Sequence, residues 1–197
     1  MDIYKAIKME KKSLKRFYKL MGILFIGLPL SVYLTGVRTL FFLVYLLIIE
    51  LLIIVAVINK LNYYSLKYSY NANKLNIKNG LFANNNLILC DKVILVHTEK
   101  MESDMEIIII STMNFRNKNL RPVVNGFLKK YPKVDEELKK ISNVNDNNQQ
   151  TYYFQIIRKG GLIKYLLLDT IYKNCVKAIY TNDSIQNIKI ARGQTLV

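Results

Sequence analysis

The chain of 197 residues is long enough for one ordinary domain, but two long apolar stretches leave about 130 residues for a polar part. A composition of 51% hydrophobic and 22% charged residues is typical of a membrane segment joined to a polar domain. The net charge of +15 favours an anionic partner, but the densest positive run directly precedes the first apolar stretch, where membrane topology accounts for it. We therefore expect anionic lipid and no nucleic acid as the partner of this charge. A single histidine is too little for the usual zinc site, and two widely separated cysteines do not indicate a disulfide framework.

The first elements in chain order are two apolar segments, residues 20–37 and 40–58, each about 18 to 19 residues long and close to the length that crosses a bilayer. Only Arg38 and Thr39 separate them, so we predict two antiparallel transmembrane helices that form a hairpin within residues 20–60. A cleaved signal peptide is the alternative for the first segment. Because the second segment follows at once and no convincing cleavage motif closes the first, we expect the first segment to be retained.

The basic residues that flank this hairpin predict its orientation. Only Arg38 lies in the turn, whereas seven basic residues precede the hairpin and four follow it: Lys5, Lys8, Lys11, Lys12, Lys15, Arg16 and Lys19, then Lys60, Lys67, Lys74 and Lys78. The positive-inside rule then places both termini in the cytoplasm and makes the protein a multi-pass protein of the cell membrane. Since apolar residues alternate with the seven N-terminal bases, residues 1–19 are predicted to be a basic amphipathic segment that contacts the membrane surface.

Glu50 interrupts the second apolar segment near its middle. A carboxyl group in hydrocarbon requires a partner, protonation or water. We favour a carboxyl group that is hydrogen-bonded to Tyr33, Ser31 or Thr35 across the hairpin, or that lies at a contact between copies of the chain. The alternatives are a proton or ion relay and a docking point for a partner protein.

Beyond Tyr63 the pattern changes to short alternating segments broken by Asn and Gly, which is typical of strands and turns. Residues Met105 to Ile110 are predicted as a buried strand, because Ile107 to Ile110 is a continuous apolar run. Successive strands are predicted, with a turn at Asn79–Gly80, at residues 68–70, 74–78, 87–89, 93–96 and 105–110.

These residues also resemble a known family. The succession Tyr68-Ser-Tyr70, then NKLNIKNGLF from Asn73 to Phe82, then DKVILV from Asp91 to Val96, resembles the bacterial PH-like domain family of membrane-flanked proteins. In that family two transmembrane helices precede a strand, a Leu-x-Ile-x-x-Gly-Leu-Phe turn and a strand opened by Asp-Lys-Ile. The resemblance covers residues 63–111, and it implies a small bent antiparallel sheet closed by a C-terminal helix. It also implies a binding or assembly module without catalytic residues.

The region after Arg121 departs from the family pattern. Residues 134–141 have acids first and bases last, which predicts a short helix, and residues 143–150 read as a polar loop. A strand at residues 152–157 and a break at Gly160–Gly161 precede a predicted amphipathic helix over residues 162–180. We expect this helix to pack on the core, with the inner leaflet or a partner protein as the alternative.

The predicted fold is a membrane α-helical hairpin of two transmembrane helices, followed by an α+β cytoplasmic domain over residues 63–197. That domain has a PH-like antiparallel sheet and a helical C-terminal extension. The sequence leaves open whether residues 63–197 form one domain or two.

No catalytic motif is present, and we predict no catalytic, cofactor-binding or metal-binding residues. His97 lies in a predicted strand and is expected to be a half-buried structural histidine. We expect Cys175 to be a small core residue. Four acids between two strands lack the spacing of a calcium loop, so we expect a solvated turn at Glu99, Glu102, Asp104 and Glu106.

The sequence therefore favours a non-enzymatic, membrane-anchored binding or assembly module at the inner face of a bacterial cytoplasmic membrane. Its partner would be a protein or anionic lipid, with self-association as a further expectation. The alternative is a small accessory or immunity-type membrane protein that acts through its transmembrane hairpin and Glu50. An enzyme with bilayer-embedded chemistry comes third.

Overall fold

The computed structural model describes residues 2–36, 39–100, 104–114, 117–144 and 151–195. These residues form six α-helices, namely α1 (Ile3–Thr35), α2 (Leu40–Tyr64), α3 (Asn125–Lys130), α4 (Pro132–Val144), α5 (Ile163–Asn174) and α6 (Asn182–Ala191). They also form eight strands, namely β1 (Leu66–Asn71), β2 (Lys74–Asn79), β3 (Asn86–Leu89), β4 (Val93–Lys100), β5 (Met105–Ser111), β6 (Arg121–Pro122), β7 (Tyr153–Ile157) and β8 (Ile179–Tyr180). The predicted turn at Arg38, the acid Glu102 and most of the predicted loop at 143–150 lie outside the described residues.

The two predicted apolar helices are confirmed as long helices. Both α1 and α2 are long and apolar enough to cross a membrane, with mean hydropathies of 1.7 and 3.2 over 18-residue windows that are not buried in the protein. The basic segment 1–19 is not separate from the first apolar segment, because α1 runs through both without a break. At its start Ile3, Ala6 and Ile7 are buried, so this end of α1 packs against the rest of the protein.

The remaining chain is an α+β region with two sheets. The first sheet has the order β1-β2-β3 and is antiparallel. The second has the order β6-β7-β5-β4-β8 and is antiparallel except for the β4–β8 pair, which is parallel. The tight hairpin turn lies at Ala72–Asn73, between β1 and β2, where both residues have positive φ. Asn79–Gly80 instead ends β2 and opens the longer loop 80–85.

Strand β5 lies at the centre of the domain and is buried along its whole length. Ile107 and Ile109 belong to a core that also includes the three-stranded sheet and helices α5 and α6. Ile108 and Ile110 belong to a second core on the other face, formed with α3 and α4. Because alternate side chains of a strand point to opposite faces, a continuous apolar run indicates burial on both sides, as predicted.

The C-terminal helix was predicted with the wrong bounds. A single helix over residues 162–180 is not formed, because α5 ends at Asn174 and Ile179 lies in strand β8, where it is 45% exposed. The chain then continues into α6, whose N-cap Thr181 accepts a hydrogen bond from the backbone N–H of Ser184. The predicted packing of α5 on the core is confirmed by Leu167, Leu168 and Ile171.

Candidate functional site

The most distinctive site lies where the two long helices meet the α+β region. Helix α2 ends at Tyr64 and β1 begins at Leu66, so a single residue separates them. The backbone N–H of Gly160 donates to the carbonyl of Tyr63 at 2.8 Å, and that of Gly80 donates to the carbonyl of Ser65 at 2.6 Å. The end of α2 is therefore held by backbone hydrogen bonds from two other segments of the domain.

Lys164 lies at the centre of this junction and is 0% exposed. Its Nζ donates to the carboxylate of Asp104 at 2.5 Å and to the carbonyl oxygens of Met105 and Arg158 at 2.5 and 2.8 Å. Tyr63, from the end of α2, donates its hydroxyl hydrogen to the same Asp104 oxygen. Burial lowers the pKa of Lys164, and the neighbouring Asp104 carboxylate opposes this effect. Since an ammonium group has three donors, all three N–H groups of Lys164 are engaged within the protein.

Glu10 joins the N-terminal helix to the same junction. Both of its carboxylate oxygens accept from the backbone N–H of Leu162, at 3.2 and 3.3 Å. Helix α5 has no side-chain cap of its own and no acid in its first turn, so Glu10 supplies the negative charge that a helix N-terminus favours. Burial raises the pKa of Glu10, the Leu162 N–H lowers it, and Asp104 and Lys164 add smaller opposing effects.

A close approach of backbone makes this capping contact fit. Gly161 has a φ of +52°, and a Cβ there would lie 2.5 Å from Glu10 Oε1 and 2.8 Å from Tyr64 Cε1. A side chain at this position would push α1 and α2 away from α5. The Gly160–Gly161 break seen in the sequence is thus a contact point for both long helices.

A cleft of about 670 Å³ opens beside the junction. Its lining includes two carboxylates and several aromatic side chains, namely Glu10, Phe17, Tyr63, Tyr64 and Asp104. Lys60 lies over the rings of Phe17 and Tyr64, at 5.0 and 5.7 Å from their centroids. Within the cleft, Tyr63 thus binds Asp104, Glu10 binds the Leu162 N–H and Lys60 lies over two rings, and the described lining residues include neither histidine nor cysteine.

Two further polar clusters form around the buried side chains of His97 and Glu106. His97 is 0% exposed, and its Nδ1 and Nε2 lie 2.9 Å from Thr181 Oγ1 and Glu99 Oε2. This is a hydroxyl, imidazole and carboxylate arrangement, but Thr181 is itself buried and caps α6. Neither ring nitrogen is free, and none of the three residues lines the cleft. The sequence predicted a half-buried histidine, whereas this one is fully buried.

In the second cluster, Glu106 accepts from the hydroxyl of Tyr131 at 2.8 Å and pairs with Arg158 at 2.7 Å. The expected solvated turn of acids is therefore wrong for Asp104 and Glu106, whose side chains are only 12% and 5% exposed. Both carboxylates are bound by cations that lie far along the chain.

The expectation about the cysteines was also wrong. Cys90 and Cys175 form a disulfide, although 85 residues separate them in sequence. Both are 1% exposed and belong to the main core, as predicted for Cys175. The fold brings the end of β3 and the end of α5 together, and sequence spacing contains no sign of this contact.

The predicted membrane-contact residues all lie on α1. The seven basic side chains Lys5, Lys8, Lys11, Lys12, Lys15, Arg16 and Lys19 are exposed. Between Leu46 and Val57 of α2, the partly buried residues form a seam, namely Leu46, Ile49, Glu50, Ile53 and Val57, and the intervening residues are exposed. Glu50 therefore lies on the face of α2 that is partly covered by α1.

Two of the hydroxyl groups expected to bind Glu50 are used elsewhere. Ser31 donates to the carbonyl of Leu28 at 2.8 Å, and Thr35 donates to that of Val32 at 3.0 Å. Both bonds stay within α1.

Comparison with known proteins gives no relative: no family model, no curated protein and no solved structure matches the chain. Among the described residues, no cluster of three or more His, Cys, Asp and Glu side chains is suited to a metal ion. Function therefore has to be argued from the junction itself.

Proposed function

We propose that the protein is a non-enzymatic binding or assembly module, anchored in the cell membrane by α1 and α2. The observation that supports this most directly is the junction, where Glu10 and Tyr63 tie both long helices to the group around Lys164 and Asp104. Such a junction fixes the orientation of the α+β region relative to the helices. This is what a module needs in order to present one surface beside a bilayer.

The absence of catalysis is part of the proposal and is supported by how the polar groups are used. The donors of Lys164 are all taken up, and the ring of His97 is engaged on both sides. Perturbed groups that are saturated by protein partners are typical of structural networks. The PH-like resemblance, which implies a binding module, is retained as part of this proposal.

Anionic lipid is the partner that the charges favour. If the bilayer begins at Leu20, a rise of 1.5 Å per residue places Lys15, Arg16 and Lys19 within about 8 Å of it along α1, about one Debye length. The same arithmetic places Lys5 and Lys8 roughly 18 to 22 Å away, because α1 continues as a helix. Each base near an anionic surface contributes about 1 kcal/mol. The predicted contact is therefore strongest at the three bases nearest the span.

Native mass spectrometry of the full-length protein in mixed neutral and anionic lipid tests this assignment. We expect the variant Lys15→Gln/Arg16→Gln/Lys19→Gln to retain less anionic lipid than the unmodified protein. The matched control Lys5→Gln/Lys8→Gln/Lys11→Gln removes the same charge farther from the bilayer and should retain it. Equal retention by both variants would contradict a lipid-facing role and point to a protein partner.

The orientation of the anchor is also proposed. The lysine and arginine count favours a cytoplasmic location of the termini and the α+β region, whereas disulfides are rare in the cytoplasm. We reconcile the two by the burial of Cys90 and Cys175, since a reductant has no access to sulfur atoms in the core. Lysis of cells in a denaturant that contains an alkylating reagent, followed by mass analysis, measures the oxidation state of the pair directly.

The alternative function, an accessory or immunity-type protein that acts through Glu50, makes a different prediction. Replacement of Glu50 by Leu would then abolish function in cells and leave the α+β region folded. The position of Glu50 on the seam facing α1 instead favours a role within the hairpin. In that case Glu50→Leu changes the stability of the helix pair and leaves lipid retention unchanged.

A further inference from the structure

The loop between β2 and β3 exposes two large apolar side chains. Phe82 is 82% exposed and Leu81 is 39% exposed. Burial of two neighbouring apolar side chains of this kind against another surface would be favourable. The position of this loop relative to α2 identifies that surface.

The chain at this point runs back along α2, towards its apolar part. In the β1–β2 ladder Asn79 pairs with Leu66. The next residue, Gly80, donates to the carbonyl of Ser65, and Leu81 then donates its N–H to the side chain of Asn62 at 3.2 Å. Successive residues of this segment thus meet successively earlier residues of the chain, first Leu66 and Ser65 and then Asn62 of α2, and Phe82 is the next residue of the loop.

Gly80 allows this close approach. Its φ is +120°, and a Cβ there would lie 2.6 Å from Asn62 Oδ1 and 3.1 Å from Lys159 Nζ. Lys159 also donates to Asn62 Oδ1 at 3.1 Å, so a basic residue lies beside the loop. The loop is therefore held against α2 by the side chain of Asn62, which Lys159 also binds.

The distance from the apolar part of α2 is short. Asn62 is four residues beyond Ile58, the last residue of the predicted span, which corresponds to about 6 Å of helix. The polar headgroup layer is roughly 5 to 7 Å thick on each side of the hydrocarbon. The Leu81 amide would therefore lie within the headgroup layer if α2 spans the bilayer.

We propose that Leu81 and Phe82 insert into the interface of the bilayer that α1 and α2 span, as a third membrane contact beside the two helices. This rests on the proposed membrane anchoring. Aromatic side chains with neighbouring lysines are typical of this layer, where the ring reaches the acyl boundary and the ammonium groups stay among the headgroups. The contact orients the α+β region, because it adds a point of support away from the helix axes.

The absence of tryptophan from the chain makes a direct test simple. Three single-tryptophan variants of the full-length protein are reconstituted in nanodiscs: Phe82→Trp at the loop, Tyr45→Trp in α2 and Val176→Trp after α5. Val176 is 80% exposed and lies beyond the end of α5 that is remote from the junction, so it is the matched exposed control. All three positions are exposed, so a ring at each leaves the core unchanged.

Emission is then measured with lipids brominated high on the acyl chain and with a quencher dissolved in water. We expect Phe82→Trp to lose emission with brominated lipid and to resist the aqueous quencher, and Val176→Trp to behave in the opposite way. If Phe82→Trp behaves like Val176→Trp while Tyr45→Trp is quenched by brominated lipid, the loop contact is refuted and the anchor stands. Failure of Tyr45→Trp to respond to brominated lipid would refute the anchor itself.

Discussion

Replacement of Lys164 by Met is the most informative perturbation of the junction. Methionine keeps most of the length and the apolar contacts of the side chain but removes the ammonium group. The Asp104 carboxylate then loses its cation, and the carbonyl oxygens of Met105 and Arg158 lose their donor. Three polar atoms are left short of a partner in a region where Lys164 itself is 0% exposed.

Removal of one partner from a buried ion pair costs about 3 to 5 kcal/mol. Asp104 retains the hydroxyl of Tyr63 and the N–H of Met105, so we expect about 3 kcal/mol. With a urea dependence of about 2 kcal/mol per molar, the unfolding midpoint should fall by roughly 1.5 M. Lys173→Met is the matched control on the same helix, because its side chain is 61% exposed and its pair with Asp169 contributes about 0 to 1 kcal/mol.

The assay is urea unfolding of the full chain in nanodiscs, followed by the near-ultraviolet circular dichroism of the tyrosines. The double variant Asp104→Asn/Lys164→Met should lose less stability than Lys164→Met alone, since it leaves no uncompensated carboxylate. The argument for a buried, structural ion pair fails if Lys164→Met behaves like Lys173→Met. It also fails if the double variant loses the sum of the two single losses.

Three other results are expected from the same region and the core. The pKa of Glu10 is raised above its ordinary value of 4.5 in the folded protein. Between these two pKa values the folded protein binds more protons than the unfolded protein. The free energy of unfolding should therefore fall as pH rises through this range. Glu10→Gln should flatten this part of the profile of urea midpoint against pH. Gly161→Ala should release the start of α1 and speed its cleavage by trypsin, whereas Gly126→Ala, with no atom within 4 Å of the added Cβ, should not. Because Cys90 and Cys175 are 1% exposed, a thiol reductant should open their disulfide in urea and leave it intact in the folded protein, as measured by the mass added on alkylation.

The elements that sequence predicts well are those whose pattern is local. Apolar runs predict α1, α2 and β5, and alternating apolar residues predict β2. Each of these patterns can be recognised from neighbouring residues alone. The C-terminal region shows the opposite case. Apolar residues at helical spacing continue past Asn174, but the chain turns there because Ile179 pairs with β4, which is a contact of long range.

The junction was missed because its members come from four distant segments. Lys164 lies three and four residues before Leu167 and Leu168, on the buried face of α5. A charged residue on the apolar stripe of a helix was the available signal, and it indicated a buried partner. Asp104 is 60 residues away, so its identity as that partner could not be read from spacing.

The junction also changes where the α+β unit begins. A fragment of residues 63–197 would lack Ile3, Ala6 and Ile7, which are buried, and Glu10, which caps α5. The fragment would expose the apolar surface that these residues cover, so its binding to vesicles or proteins would not identify a specific partner. Tests of function therefore need the full chain.

The same connectivity couples the two long helices to the domain. Glu10 of α1 accepts from the backbone N–H of Leu162. Tyr63 of α2 donates to Asp104, which also binds Lys164. Sliding of α1 along α2 would have to break the Glu10 cap or the Tyr63 hydrogen bond, or else carry α5 with it.

Glu50 lies on the seam between the same two helices, so a change at Glu50 that shifts their packing should reach the junction. We expect Glu50→Leu to alter hydrogen exchange at the first turn of α5, whereas Leu52→Ala, which replaces a side chain that is 60% exposed, should not. Unchanged exchange in both variants would mean that the hairpin is only an anchor.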